Sequence, residues 1–176
     1  SRIKACIPTI KLALENNAKV LLISHLGRPE EGKFEEKFSM KPVAESLRSI
    51  LNEEVGLIDR LDSEDIFKSS FSIQILENIR FFKGEKANDK DLGNILANLG
   101  DIYVFDAFGT AHREQASTHS AIEQSKIACA GLLLEREIDF LTKALNDYQN
   151  PYVAIIGGAK VSTKLELIKY INNVAD

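Results

Sequence analysis

Three apolar runs of this chain each lead straight into cationic side chains, and the types of those side chains suit the binding of an anion. Lys19-Val20-Leu21-Leu22-Ile23 is followed by "SHLGRP", which carries His25 and Arg28. "ILENIRF" carries Arg80, and "VFDAFGTAHR" carries His112 and Arg113. Arginine stays charged and presents forked donors that meet a carboxylate or phosphate through two bonds. If each run is a strand of one parallel sheet, the three loops open on the same sheet edge, where open α/β sheets bind ligands. Each cation also has a bland explanation. Ser24–Pro29 can be a solvated turn made by Gly27 and Pro29. Arg80 can pair with Glu77 or Glu85, and Arg113 with Asp106 or Glu114, in surface ion pairs worth about 0–1 kcal/mol. Recurrence at three exits favours an anion site.

A fourth exit differs. "AIIGGAKVSTK" places Gly157 and Gly158 at a turn, with Lys160 and Lys164 four apart on one face of a helix start. Two glycines let a phosphate approach the backbone, and a helix N-terminus supplies unpaired N–H groups. This suits a polyphosphate; a packing turn with two solvated lysines is the alternative. The stretch is neither GxGxxG nor GxxxxGK[ST], which argues against a nicotinamide dehydrogenase and a P-loop ATPase. Other chemistries lack their patterns. His25, His112 and His119 show no metal-ligand spacing, and Ser117 and Ser120 lack a nucleophile elbow. Glu35-Glu36 and Glu53-Glu54 read as solvated faces.

These groups need a scaffold. Ile3, Ile7, Ile10 and Leu14 recur at helical spacing up to Asn16-Asn17, and a strand follows at 19–23. Ser39 is expected to cap a helix with Pro42 in its first turn and Val43, Leu47 and Ile50 along it. Strands are expected at 55–58 and 73–79. Asp89 caps a helix through Leu92, Leu96 and Leu99 that Gly100 stops, and 102–105 reads as a buried strand. A long helix from Leu134 to Tyr148 is broken at Asn150-Pro151, before a strand at 152–156 and a helix carrying Leu165 and Ile168. The alternation predicts an α/β fold, a mostly parallel sheet with helices on both faces in a Rossmann-like three-layer sandwich. Residues 1–133 are expected to form the anion-binding domain, 134–150 a connector, and 151–176 the start of a second domain.

Composition sets limits on function. The chain has 176 residues, 44% hydrophobic and 27% charged, enough for a sizeable core. A net charge of −4 without a basic run argues against nucleic acid as a partner. Cys6 and Cys129 form no CxxC and suggest neither disulfide nor zinc, which fits a reducing cytoplasm. No stretch approaches a membrane span, and the opening residues are not a secretory signal. The start at Ser1-Arg2, without Met, points to a fragment.

"SHLGRP", "LENIRF", "FDAFGTAHR" and "IIGGAKVSTK", in this order, resemble the phosphoglycerate kinase family, and the likeness runs from Ser1 to Asp176. The resemblance implies two α/β domains across a hinged cleft, the first holding 3-phosphoglycerate and the second the nucleotide. It implies the glycolytic transfer of a phosphoryl group from 1,3-bisphosphoglycerate to ADP, reversibly, giving 3-phosphoglycerate and ATP with Mg²⁺. By position, Arg2, His25, Leu26, Gly27, Arg28, Arg80 and Arg113 are implied as phosphoglycerate ligands. Gly157, Gly158, Lys160 and Lys164 are implied at the nucleotide. Arg2 and Lys160 are implied as catalytic, Arg2 nearest the transferring group and Lys160 moving onto it. A monomer is expected. The family also has a strand ahead of Ser1, ending in Asp-x-Asn and lying inside the sheet, and most of a second domain that includes the acidic Mg²⁺ ligand. The chain is therefore expected to be truncated at both ends and inactive alone. Glu114-Gln115 departs from the smaller or more basic residues expected after Arg113. The residue types fit the chemistry, because phosphoryl transfer is catalysed mainly by positioning and by stabilising spread negative charge. The rival class is a non-catalytic anion-binding module with the same sheet and pocket.

Overall fold

The structure is a computed structural model that describes residues 2–61, 66, 68–147, 151, 153–155 and 165–172. The chain divides into two compact units, Ser1–Glu135 and Arg136–Asp176.

In the first unit, α1 (Arg2–Glu15) ends at Asn17, whose φ of 58° is the left-handed conformation that closes helices. Its amide donates to Leu14 O and that of Ala18 to Ala13 O, satisfying carbonyls the helix leaves open. Then come β1 (Val20–Leu22), α2 (Lys41–Leu51), β2 (Val55–Ile58) and β3 (Ile73–Leu76). Next are α3 (Lys90–Ala97), β4 (Tyr103–Phe105), α4 (Ala121–Gln124), β5 (Ala128–Ala130) and the first turn of α5 (Leu132–Asn146), whose remainder falls in the second unit. Short 3₁₀ turns at Ile79–Phe81 and Phe108–Thr110 and a π turn at Ala116–Ser120 follow strand exits.

All described ladders are parallel. β3 lies between β1 and β2, with Ile73 opposite both Val20 and Val55. Every residue of β3 is buried, as a central parallel strand requires. Ile73 and Ile75 join a core with Ile10, Met40, Ala44, Leu47 and Val55 beneath α1 and α2. Leu76 joins another with Ile79, Leu92, Leu96 and Ala121 beneath α3 and α4. These are the three layers the sequence predicts.

Details differ. β4 pairs with β5 in a separate two-stranded sheet, so the expected single sheet is two. The 102–105 run, expected to be buried, is not: in a two-stranded sheet β4 has a single neighbour, and Val104 is 43% exposed and Ile102 56%. Of the strand expected at 73–79, β3 covers Ile73–Leu76; Glu77 N still donates to Ile58 O at 2.7 Å, and a 3₁₀ turn begins at Ile79. Met40, not Ser39, occupies the cap position of α2; the Ser39 hydroxyl accepts from Lys41 N and donates to Glu77. Asp89 caps α3 as expected, its carboxylate accepting from Leu92 N at 2.8 Å, but the helix closes at Asn98, ahead of Gly100.

In the second unit, α6 (Leu165–Ile171) is helical as expected. Of the strand expected at 152–156, residues 153–155 are described and join no described ladder, since a strand needs a hydrogen-bonded neighbour to form. No helix among the described residues is long and apolar enough to cross a membrane.

Candidate functional site: an arginine cluster at the strand exits

The loop after β1 is held from beneath by the segment after β3. Ile79 N donates to Ser24 O at 3.1 Å, and Asn78 Nδ2 donates to Leu26 O at 2.7 Å and to Phe38 O at 2.9 Å. Asn78 Oδ1 accepts from Arg80 N at 3.1 Å, and Arg80 Nη1 donates to Gly27 O at 2.6 Å. Lys86 Nζ reaches Pro29 O at 3.2 Å. Gly27 has φ of 64°, and a Cβ there would lie 2.3 Å from Phe38 Cε1, so both conformation and space call for glycine. His25 is half-buried, while Leu26 and Arg28 are exposed on the outer side of the loop.

Arg80 is 6% exposed, and its Nε finds no partner in the structure. Burial first, then repulsion from Arg113 and more weakly Arg28, press its guanidinium below the ordinary arginine value; Glu85 opposes the shift. Arg28 and Arg113, from two other strand exits, are thus both within electrostatic reach of Arg80. Among the described residues none of the three has a carboxylate partner at ion-pair distance. The surface pairings considered for them are not made. Glu77 is buried and accepts instead from Met40 N at 2.6 Å, Asn78 N at 2.8 Å and Ser39 Oγ at 2.8 Å. Asp106 accepts from Thr9 Oγ1 at 2.6 Å and from Leu134 N at 2.9 Å, capping α5 from the tip of β4. Clustered cations without an ion-paired carboxylate have the chemistry to receive an anion.

Arg113 lies in the segment between β4 and α4, with its side chain half-buried, and His112 beside it is exposed. Thr118 Oγ1 donates to Arg113 O at 2.6 Å and accepts from Gln115 N at 3.2 Å. His119 lies 3.2 Å from Asn88 Nδ2 and 3.6 Å from Glu123, a local role on α4 and its approach.

Gly157, Gly158, Lys160 and Lys164 lie outside the described residues, as does the side chain of Arg2, whose backbone opens α1. Sequence reasoning passed over Asn78 and did not foresee how Glu85 and Asp106 are used.

A match to the family described as "Phosphoglycerate kinase" extends over residues 1–176. The chain is 48% identical over 175 residues to the phosphoglycerate kinase of Desulfovibrio desulfuricans, covering 99% of this chain and 44% of that protein. It is 50% identical over 176 residues to that of Legionella pneumophila, again covering 99% and 44%. A solved phosphoglycerate kinase from Coxiella burnetii shares the fold with a TM-score of 0.86 and 46% identity, over 99% of this chain and 44% of that one. The chain spans less than half the length of the relatives it matches. With the likeness continuous from one end to the other, at identities near one half and in a shared fold, this chain belongs to the phosphoglycerate kinase family.

Proposed function

We propose that the full-length protein transfers a phosphoryl group reversibly between 1,3-bisphosphoglycerate and ADP, and that this chain supplies the phosphoglycerate site. The observation that carries the reading is Arg80: a buried guanidinium with an unpartnered Nε, beside Arg28 and Arg113. Family membership supports the substrate assignment. A small carboxylate bearing a phosphate offers two anionic ends, which suits several forked donors better than one.

In this reading Arg28, Arg80 and Arg113, with His25, Leu26 and Gly27, fix the phosphoglycerate. Arg2 stands nearest the transferring group. Lys164, Gly157 and Gly158 meet the nucleotide phosphates, and Lys160 follows the group in flight. The side chains orient the reactants and neutralise charge that develops on the moving phosphoryl group, with no general base required. Mg²⁺ enters with the nucleotide as part of that substrate. Among the described residues no group of three or more His, Cys, Asp or Glu side chains is arranged to hold a metal. Closure of a second domain would exclude water, which otherwise competes as acceptor.

A coupled assay for ATP, run on the full-length protein with 1,3-bisphosphoglycerate and ADP, tests the reading. ATP formation is the expected result. Binding of 3-phosphoglycerate without any ATP formed would instead favour a non-catalytic anion-binding module.

A further inference from the structure

Glu85 is 2% exposed and lies one turn beyond Arg80, yet it makes no direct ion pair with it among the described residues. Its hydrogen bonds go across to the segment that carries Arg113. Glu85 Oε1 accepts from Ser117 Oγ at 2.6 Å, Oε2 accepts from Ser117 N at 3.0 Å, and the Glu85 backbone carbonyl accepts from Ala116 N at 2.9 Å. Tyr103 OH holds the same residue from the other side, donating to Ser117 O at 2.7 Å. Ser117 is therefore gripped at its amide, hydroxyl and carbonyl. The next residue, Thr118, bonds through Oγ1 to Arg113 O. A continuous chain of bonds thus runs from Glu85 to the backbone of Arg113, and the one nearby carboxylate charge acting on Arg80 is that of Glu85.

Resting on the proposed function, we propose that Glu85 is a positioning residue of the phosphoglycerate site: without touching substrate, it sets Arg113 in register with Arg80 through Ser117 and offsets their mutual repulsion. A carboxylate suits both tasks. It accepts on two oxygens at once, and it supplies the negative charge that an arginine cluster lacks when no substrate is bound. The anion site keeps its donors for the ligand because Glu85 is turned to the amide and hydroxyl of Ser117.

The test uses the full-length protein and calorimetric titration of 3-phosphoglycerate and ATP separately. Glu85→Ala is expected to weaken 3-phosphoglycerate binding by about tenfold while ATP affinity stays within about twofold, and in an Arg113→Ala background the same change is expected to do much less, because residues in one network couple. Glu85→Gln, which keeps the shape and one acceptor, is expected to fall between, and Ser117→Ala to reproduce part of the loss if Glu85→Ala does not fold. Equal losses for both ligands, or effects of Glu85 and Arg113 changes that simply add, would overturn the positioning role and leave the proposed function standing. A wild-type protein that fails to bind 3-phosphoglycerate would overturn both.

Discussion

Arg80 Nη1 donates to the carbonyl oxygen of Gly27 at 2.6 Å, a bond between residues 53 positions apart that joins the exits of β1 and β3. One guanidinium therefore ties the two exits together and, in the proposed function, also meets the substrate. The loop shape and the charge within it are coupled, and substitutions in either are expected to be felt in both.

Asn78 is fully buried and is the centre of this joint. Asn78→Ala removes the donors to Leu26 O and Phe38 O and the acceptor for Arg80 N, leaving one buried amide and two part-buried carbonyls unpaired. Each such group costs about 1–3 kcal/mol, and with partial relaxation the expected loss is about 3 kcal/mol. Urea unfolding of the full-length protein checks this; a loss under about 1 kcal/mol would mean the loop holds itself.

Gly27→Ala meets a φ of 64° and the Phe38 ring together. A destabilisation of about 1–3 kcal/mol is expected, with weaker 3-phosphoglycerate binding, because the loop must shift to admit the methyl group. Thermal unfolding and ligand titration on the same variant measure the two effects. An unchanged affinity would show that the loop backbone is not part of the site.

The two-site division predicts opposite selectivities. Arg28→Ala or Arg113→Ala is expected to weaken 3-phosphoglycerate binding by about 1.5–3 kcal/mol, the range for charge-assisted bonds, with little change for nucleotide. Lys164→Ala is expected to do the reverse. Calorimetry on each ligand decides, and parallel losses in all three variants would remove the division.

How much of this was legible in the sequence depends on how far apart the partners stand. Strand exits with cations, the Asp89 cap and the αβ alternation are local patterns, and they appear in the structure where residue spacing puts them. Asn78 with Leu26, and Glu85 with Ser117, are 52 and 32 positions apart, and nothing local marks either pairing. The split of the sheet was illegible for another reason. Whether an apolar run such as 102–105 is buried is decided by which strands flank it, not by its own residues.

Arg2 opens α1, where a cation is mildly unfavourable to the helix dipole by about 0.3–1 kcal/mol, so a purely structural role explains it poorly. Arg2→Ala in the full-length enzyme is expected to lower turnover by about 10³-fold while 3-phosphoglycerate affinity changes much less, by analogy with arginine fingers. Steady-state kinetics of Arg2→Ala and Arg2→Lys are the measurement. A raised KM with turnover intact would make Arg2 a plain substrate ligand.

Burial raises the Glu85 carboxyl above its ordinary value, opposed by the Ser117 hydroxyl and amide and by Arg80, and assisted weakly by Glu31. A raised folded value means that the protonated form favours the native state. That contribution is fully present below the unfolded value near 4.5 and is lost as pH rises through the folded one. Glu85→Gln, which imitates the neutral acid, is therefore expected to gain stability relative to wild type as pH rises through this window and to hold the gain above it. Urea titrations at a series of pH values give the difference directly, and a difference independent of pH would refute the shift.

The carbonyl oxygens of Ser24, Leu26, Gly27 and Pro29 are all taken by donors from beneath the loop. A short loop ordinarily offers a visitor both signs of partial charge. This one has four of its carbonyls engaged within the protein, which leaves fewer acceptors to a visitor. In the proposed function, ammonium groups and hydrated cations, which need acceptors, would gain little at this loop, whereas an oxyanion would lose nothing by their absence. On that reading, discrimination between small metabolites of similar size would rest partly on the backbone bonding of one loop, before any of its side chains is counted.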